Sequence, residues 1–437
     1  MSRRWPRPST RWWTTTRSTP GAPPRPGPGL RRSAGPPLRP ACGAPTKRPA
    51  GEERAVTPLR VLANLCSVVP AQVGGAEPYT TRLLAAVASQ IPDQAPAVEL
   101  ELASMAGVRA VHPELGAPAW HEASWRPDSR VRRAVVESTW LARLSSGFDI
   151  VHHFGGRLPA RRSGVSVLTV HDIQPLDLPA NFSAMKRRYL GWALPRSVRS
   201  ADLVTVPSQW VADRLSERLS VPAGRIRVVP PTYARPRSSA GATGPASEPS
   251  GSPVRQPFLL YPAATYPHKN HATLLMAHAA VRALHPDLQL VLTGARGRAH
   301  AQVAEQAART PGVVHLGWVD DARLASLMSA ASAVAFPSRY EGFGLPVLEA
   351  MQSGTPVIAA DTTALPEVVG VCGTLVDPDD VDGWVDALSE ARSGSSRIRE
   401  QVDRALARAA DFAPERAAGR LLEAWRAAAG HSVERAP

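Results

Sequence analysis

Cysteine is scarce. Cys42, Cys66 and Cys372 are the three in 437 residues, and they stand far apart. No CxxC pair or Cys/His cluster exists, which argues against a disulfide framework and against a zinc site. A reducing cytoplasm is the expected compartment. Also missing is any apolar run near the roughly 18 residues of a membrane span. The opening MSRRWPRPST carries twin arginines, but no apolar stretch follows in TTTRSTPGAPPRPGPG, so a secretion signal is not expected. Acidic residues are depleted in one place. Residues 1–57 hold 12 Lys/Arg and 2 Asp/Glu, whereas the other 380 hold 39 and 35. The net charge of +14 therefore belongs mostly to the first segment. A near-neutral body offers no broad phosphate-attracting surface, so nucleic acid is not an expected partner.

That first segment also holds 12 prolines and almost no aliphatic clusters. It cannot bury enough apolar area to offset its ordering entropy and is expected to be disordered. It reads either as a basic tail for anionic lipid or nucleic acid, or as a stretch upstream of the true start, with Val56 as a non-AUG candidate.

Order is expected from Leu59. LRVLANL is a short apolar run suited to a buried parallel strand, and a glycine turn and a helical pattern follow in QVGGAEPYTTRLLAAVASQ. DIVHHFGG (149–156), SVLTVHD (166–172), ADLVTVPS (201–208) and RIRVVPP (225–231) repeat the strand signature, with helical stretches such as QWVADRLSERL between several of them. Residues 234–256, rich in Ser, Gly, Ala and Pro, break the pattern and read as a linker. A second series follows: PFLLYP, LQLVLTG, GVVHLG, SAVAFPS and TPVIAAD. Strands alternating with helices predict α/β architecture, here two doubly wound domains in tandem. Ligands of such domains sit at the carboxyl ends of the strands, facing the cleft.

The sharpest motif is SRYEGFGLPVLEAMQSGTPVIAAD (338–361). A strand runs into a loop with Glu341, Gly342, Phe343 and Gly344, and a helix is expected from about Pro346 with Glu349 one turn inside. Glycines let backbone N–H groups approach an oxyanion closely, and a helix N-terminus favours phosphate. The two carboxylates can accept hydrogen bonds from sugar hydroxyls. Either glutamate alone would be an ordinary solvated helix-start residue; the full string argues otherwise.

The chain resembles the family 4 retaining glycosyltransferases, of GT-B fold, whose E-x7-E signature is met by Glu341 and Glu349. The likeness runs from Leu59 to about Gly430. It implies that Glu341 contacts the donor sugar, that Glu349 binds the ribose, and that backbone amides of Phe343, Gly344 and Leu345 contact the sugar and diphosphate, with Gly342 in the same loop. In YPAATYPHKNH (261–271), Lys269 neutralises charge developing on the leaving diphosphate. Many relatives carry an arginine about six residues earlier, where this chain has Ala263. Either another cation substitutes, Arg157 being the candidate, or fewer charges suffice. In VGGAE (73–77), Gly74 and Gly75 resemble the glycine loop near the donor phosphate or the acceptor; a plain tight turn is the alternative. His171, after a strand in LTVHDIQPLDLP, is implied to line the site near the transferred sugar, or else caps a helix with Asp172. His152 and His153 end another strand, and either could face the cleft. Gly317 and Trp318, within LGWVDDARL, are expected near the nucleobase. Asp320 and Asp321 read as helix N-terminal residues, not a metal pair, and Glu367 as a helix start.

The implied organisation is a disordered tail (1–57), an acceptor-side domain (58–233), a linker (234–256), a nucleotide-sugar-binding domain (257–395), C-terminal helices (396–430) and a tail (431–437). The implied reaction moves a sugar from a nucleoside diphosphate to a hydroxyl with retention. The donor is a co-substrate, GDP-mannose or a related GDP-sugar first, and no cofactor is expected. No D-x-D stands where a metal–diphosphate bridge would need it, so metal independence is expected. The acceptor stays open among a glycan, a lipid-linked saccharide and a small metabolite. Peripheral contact with the inner face of the plasma membrane is likewise open. Rival readings are a glycoside hydrolase, a GT-B epimerase or phosphorylase, and a non-catalytic sugar-nucleotide binder. The hydrolase needs neither Lys269 nor the glycine loop.

Overall fold

The computed structural model describes residues 58–69, 74–91, 98–116, 118–127, 129–233 and 252–433. The expected tail at 1–57, most of the linker at 234–256 and residues 434–437 lie outside that set.

Among the described residues, the first sheet contains Leu59–Asn64 (β1), Val98–Met105 (β2), Ala119–Ala123 (β3), Ile150–His153 (β4), Val165–Thr169 (β5), Leu203–Val206 (β6) and Ile226–Val228 (β7). Its spatial order is β3-β2-β1-β4-β5-β6-β7, and every pairing is parallel. The second sheet contains Phe258–Pro262 (β8), Gln289–Thr293 (β9), Val313–Gly317 (β10), Ala333–Phe336 (β11), Val357–Ala360 (β12) and Thr374–Val376 (β13). Its order is β10-β9-β8-β11-β12-β13, again parallel. Both sheets reverse winding direction beside their first strand, and a crevice opens there at the carboxyl edge.

Central strands such as FLLYP, AVAF and VIAA are buried along their whole length, as helices on both faces require. Three strands were absent from the sequence expectation. In VELELASM, Glu99 and Glu101 alternate with buried neighbours, which hides the apolar run. AWHEA buries only Ala123, and TLV is three residues long.

The helix Pro414–Val433 does not stay with the second domain. Ala417, Ala418, Leu421, Leu422 and Trp425 pack into the first domain's core with Leu83, Leu84 and Val87. Trp425 is fully buried, and its indole N–H donates to His152 Nδ1 at 3.0 Å. Cys66 and Cys372 are both buried free thiols. Among the described residues, no helix is long and apolar enough to cross a membrane.

Candidate active site

The carboxyl edges of the two sheets enclose a cleft of about 540 Å³. Its walls come from segments that leave strand ends: Gly74 and Gly75 after β1, His171 after β5, Lys269 after β8, and Glu341 after β11.

Lys269 closes a short 3-10 turn, Pro267–Lys269, and Asn270 then takes left-handed backbone at φ 57°. Asn270 is buried and tied down on three sides. Its amide donates to Pro337 O at 3.2 Å and Pro378 O at 2.7 Å, and its Oδ1 accepts from Thr273 at 2.9 Å. The Tyr261 hydroxyl donates to Lys269 O. With its backbone fixed, Lys269 reaches Glu341, Nζ to Oε1 2.5 Å, with both side chains mostly covered.

Glu341 is held from the other side. Its N–H donates to Thr363 Oγ1 at 3.1 Å. Thr363 sits at φ 55°, where a β-branched residue stores about 1–3 kcal/mol of strain. The loop ends at Gly344, φ 97°, where a Cβ would press on Leu365 Cδ2 at 2.6 Å. Gly344 caps the helix Leu345–Gln352, with Pro346 in its first turn. Pro346 has no N–H and Val347 N donates to Gly344 O at 2.9 Å, which leaves the Leu345 N–H, at the positive end of the helix dipole, beside the cleft. Phe343, Gly344 and Leu345 all line the cleft.

Glu349 sits one turn inside that helix, almost fully buried. Its carboxylate accepts from Arg82 Nη1 at 2.8 Å, across the cleft. Burial pushes the Glu349 pKa up, and the Arg82 cation opposes the shift. Arg82 also lies 4.7 Å over the Tyr233 ring and 3.8 Å from Asp321.

His171 donates through Nε2 to Phe154 O at 3.0 Å, since a carbonyl can only accept, and the Tyr79 ring meets it edge-on at 4.9 Å. Burial holds its pKa down to about 4. It is thus neutral at pH 7, with Nδ1 left as an acceptor. Asp172 accepts from Gln174 N at 2.9 Å, but the N-cap of the short helix Gln174–Asp177 is Ile173 and His171 takes no part in capping it.

Further contacts join the domains beside the cleft. Ser208 Oγ donates to Gly342 O at 2.7 Å, Tyr340 donates to Asp177 at 3.2 Å, and Glu367 accepts from the amides of Gln209 and Trp210 at 2.8 and 3.0 Å. Glu367 does stand in the first turn of its own helix, Leu365–Val369, but its carboxylate caps a helix of the other domain.

Residues 73–233 match the family described as Glycosyltransferase Family 4, and residues 256–393 match Glycosyl transferases group 1. The chain is 31% identical to O-antigen chain mannosyltransferase B of Escherichia coli, over 64% of this chain and 74% of that protein. It is also 31% identical to an MMP alpha-(1->4)-mannosyltransferase of Mycolicibacterium hassiacum, over 62% and 68%. The chain belongs to glycosyltransferase family 4. The fold agrees. A sucrose-phosphate synthase of Thermosynechococcus elongatus superposes with a TM-score of 0.65 at 20% identity, covering 84% of this chain and 98% of that one. Anabaena Alr3699/HepE in complex with UDP-glucose gives 0.62 at 18%, with the same coverage.

In this family 4 chain, Gly75, His171, Lys269, Trp318, Glu341, Gly342 and Glu349 all meet at the one cleft, although they are spread over both domains. Gly317 stands just outside the lining; its carbonyl accepts from Gly294 N at 2.8 Å, and the neighbouring Trp318 is 69% exposed. Asp320 caps the helix Asp321–Ala330 through Arg323 N, as read. His152 and His153 do not face the cleft. They are buried in the first domain, His152 against Thr169 and Trp425, and His153 against Asn64.

Arg157 is not the substitute cation. Its guanidinium is spent on Glu137 at 2.5 Å, and it does not line the cleft. The cation in the cleft that sequence reasoning missed is Arg82. It is the lone charged side chain between Pro78 and Gln90, three residues beyond Tyr79, and that isolation was the available signal.

Among the described residues, seven histidines have pKa values lowered chiefly by burial: His152 well down, His153 to about 3, His171, His268 and His271 to about 4, and His278 and His315 in the same direction. A folded pKa below the unfolded value of about 6.5 means stability that is present above pH 6.5 and lost as pH falls toward 4. Asp172, Glu349 and Glu367, with pKa values raised by burial, and His112, raised by its hydrogen bond to Glu77, act in the opposite sense but are fewer. The thermal midpoint is expected to be level above about pH 7 and to fall between pH 6.5 and 4. A level midpoint down to pH 4 would contradict the burial of neutral imidazoles.

Proposed function

We propose that the cleft transfers a sugar, mannose in the first instance, from a nucleoside diphosphate donor to a hydroxyl acceptor, with retention of anomeric configuration and without a metal. The observation that carries this is the Lys269–Glu341 pair set beside the N-terminus of the helix Leu345–Gln352.

A diphosphate is already a capable leaving group, so the protein must chiefly orient it and stabilise its charge. The ammonium of Lys269 has three N–H donors, so it can keep Glu341 and still donate to a phosphate oxygen. The N–H groups at 343–345 add neutral donors to the same anion. Glu341, anchored through its own amide, is available to the sugar ring and to positive charge developing at the anomeric carbon. Glu349 would accept from the ribose hydroxyls. To do so it must share or release Arg82, which then brings a cation to a cleft where Ala263 supplies none. His171, as a neutral acceptor at Nδ1, can orient a sugar hydroxyl but cannot serve as an acid at pH 7. Attack on the donor's leaving-group face, with a phosphate oxygen taking the acceptor proton, needs no enzymic nucleophile.

The mannosyltransferase names of the E. coli and M. hassiacum relatives support mannose. UDP-glucose in the Anabaena neighbour keeps a second nucleotide in view. Thermal shift with GDP-mannose and with UDP-, ADP- and dTDP-sugars tests the reading. GDP-mannose is expected to raise the midpoint most, because only the native state binds it. Turnover is expected to persist in EDTA and to give the α-linked product. If no sugar nucleotide raises the midpoint, the proposal fails.

A further inference from the structure

The helix Ala184–Ser200, AMKRRYLGWALPRSVRS, contains no acidic residue and five basic ones: Lys186, Arg187, Arg188, Arg196 and Arg199. One face is anchored. Ala193, Leu194, Ser197 and Val198 are buried, and Leu194 and Val198 pack with Leu168, Val170 and Val204. That packing fixes which residues point outward. Met185, Tyr189 and Trp192, spaced four and three apart, form one stripe and are 83%, 46% and 62% exposed. Large apolar side chains grouped on a surface mark an interaction site.

The charges on the helix that carries the stripe are all of one sign. Arg188, Arg196 and Arg199 are exposed on the same face, and the Arg196 guanidinium stands 5.8 Å from the Trp192 ring. Lys186 is half-buried near Arg130 and Arg298, and burial together with those two charges pushes its pKa down. Arg130 opens the helix Arg130–Val136, which turns Val131 and Val135 outward at 73% and 47% exposure.

We infer that this face docks on an anionic phospholipid bilayer. Tryptophan and tyrosine settle at the headgroup level, methionine and valine reach the acyl boundary, and the arginines meet lipid phosphates. A second copy of the chain would set like charges against like. A nucleic acid would offer no apolar surface to Met185 and Val131. The position adds a consequence. Asn181, three residues before the helix, accepts from Arg298 at 2.9 Å and stands 3.5 Å from His268, which lines the cleft. A bilayer on this face would therefore lie at the cleft rim, within reach of an acceptor held in the membrane.

The inference stands apart from the sugar-transfer reading, because binding is measured without donor or turnover. The full chain is sedimented with vesicles of phosphatidylcholine alone and of phosphatidylcholine with about 30% phosphatidylglycerol. Binding is expected only to the anionic vesicles and should weaken with salt. Each basic residue at the surface is worth about fivefold in partition, so Arg188→Gln with Arg196→Gln and Arg199→Gln should lower it by about a hundredfold. Met185→Ser with Tyr189→Ser and Trp192→Ser should lower it at least tenfold, with an unchanged thermal midpoint, since all three are exposed. No binding, equal binding to both vesicles, or undiminished binding of both triple variants would overturn the assignment. The last of these would move it to residues 1–57 or another surface. A dimer that the serine variant dissociates, with no vesicle binding by the unmodified chain, would overturn it in favour of self-association.

Discussion

Lys269→Ala is expected to lower kcat by about 10²–10³-fold at saturating donor, the scale for removing one preorganised charge from a developing anion. The loss has two sources. The ammonium that would face the departing phosphate is gone, and the Glu341 carboxylate it neutralised at 2.5 Å becomes an unpaired negative charge in the same cleft. The second source can be separated from the first. Adding Glu341→Gln to Lys269→Ala should recover donor affinity, because the repulsion is removed, but not turnover. Donor affinity read by calorimetry and kcat read from initial rates make the comparison. A drop in kcat below about threefold in the single variant, with the fold intact, would remove Lys269 from the chemistry.

Gly342→Ala is expected to cost about 10²-fold in turnover for a different reason. A Cβ at Gly342 would collide with the backbone oxygen of His171, which belongs to the other domain, and would press on Asp172 Cβ at 3.2 Å. Neither neighbour is a flexible chain end that could swing away. The domains would have to part, and the Ser208–Gly342 bond of 2.7 Å between them would be lost. Displacements near 1 Å at a reacting centre cost about 10²-fold. The second domain should still fold, since the clash is between domains. Small-angle scattering should therefore show a more open particle with an unaltered secondary structure. Turnover equal to the unmodified chain's would mean that the docked arrangement is not the working one.

Contiguous features were legible in the sequence, and features built from distant residues were not. The segment from Glu341 to Glu349 could be read because a strand, a glycine loop and a helix start follow one another, so local rules place both carboxylates. The Lys269 turn is similarly local. Arg82 and Glu349 are 267 positions apart, and nothing on either side foretells their ion pair. The same holds for Glu367, whose position at a helix start was evident but whose carboxylate serves Gln209 and Trp210. His152 and His153 show a second limit. A strand end could send them either to the cleft or to the interior, and it was Trp425, donating to His152 from the last described helix, that marked the interior. For Met185, Tyr189 and Trp192, an apolar pattern reads as a buried stripe until the opposite face is seen to be the packed one.

The return of Pro414–Val433 to the first domain bears on how the chain comes off the ribosome. The first sheet is complete at β7, yet the helix that covers Leu83, Leu84 and Val87 is translated about 180 residues later. At about 5–20 residues per second, that leaves a nascent apolar face bare for roughly ten to forty seconds. A holdase has its natural client surface there, and a stop codon between Phe412 and Trp425 should leave the first domain's apolar face bare while the second domain's core stays complete.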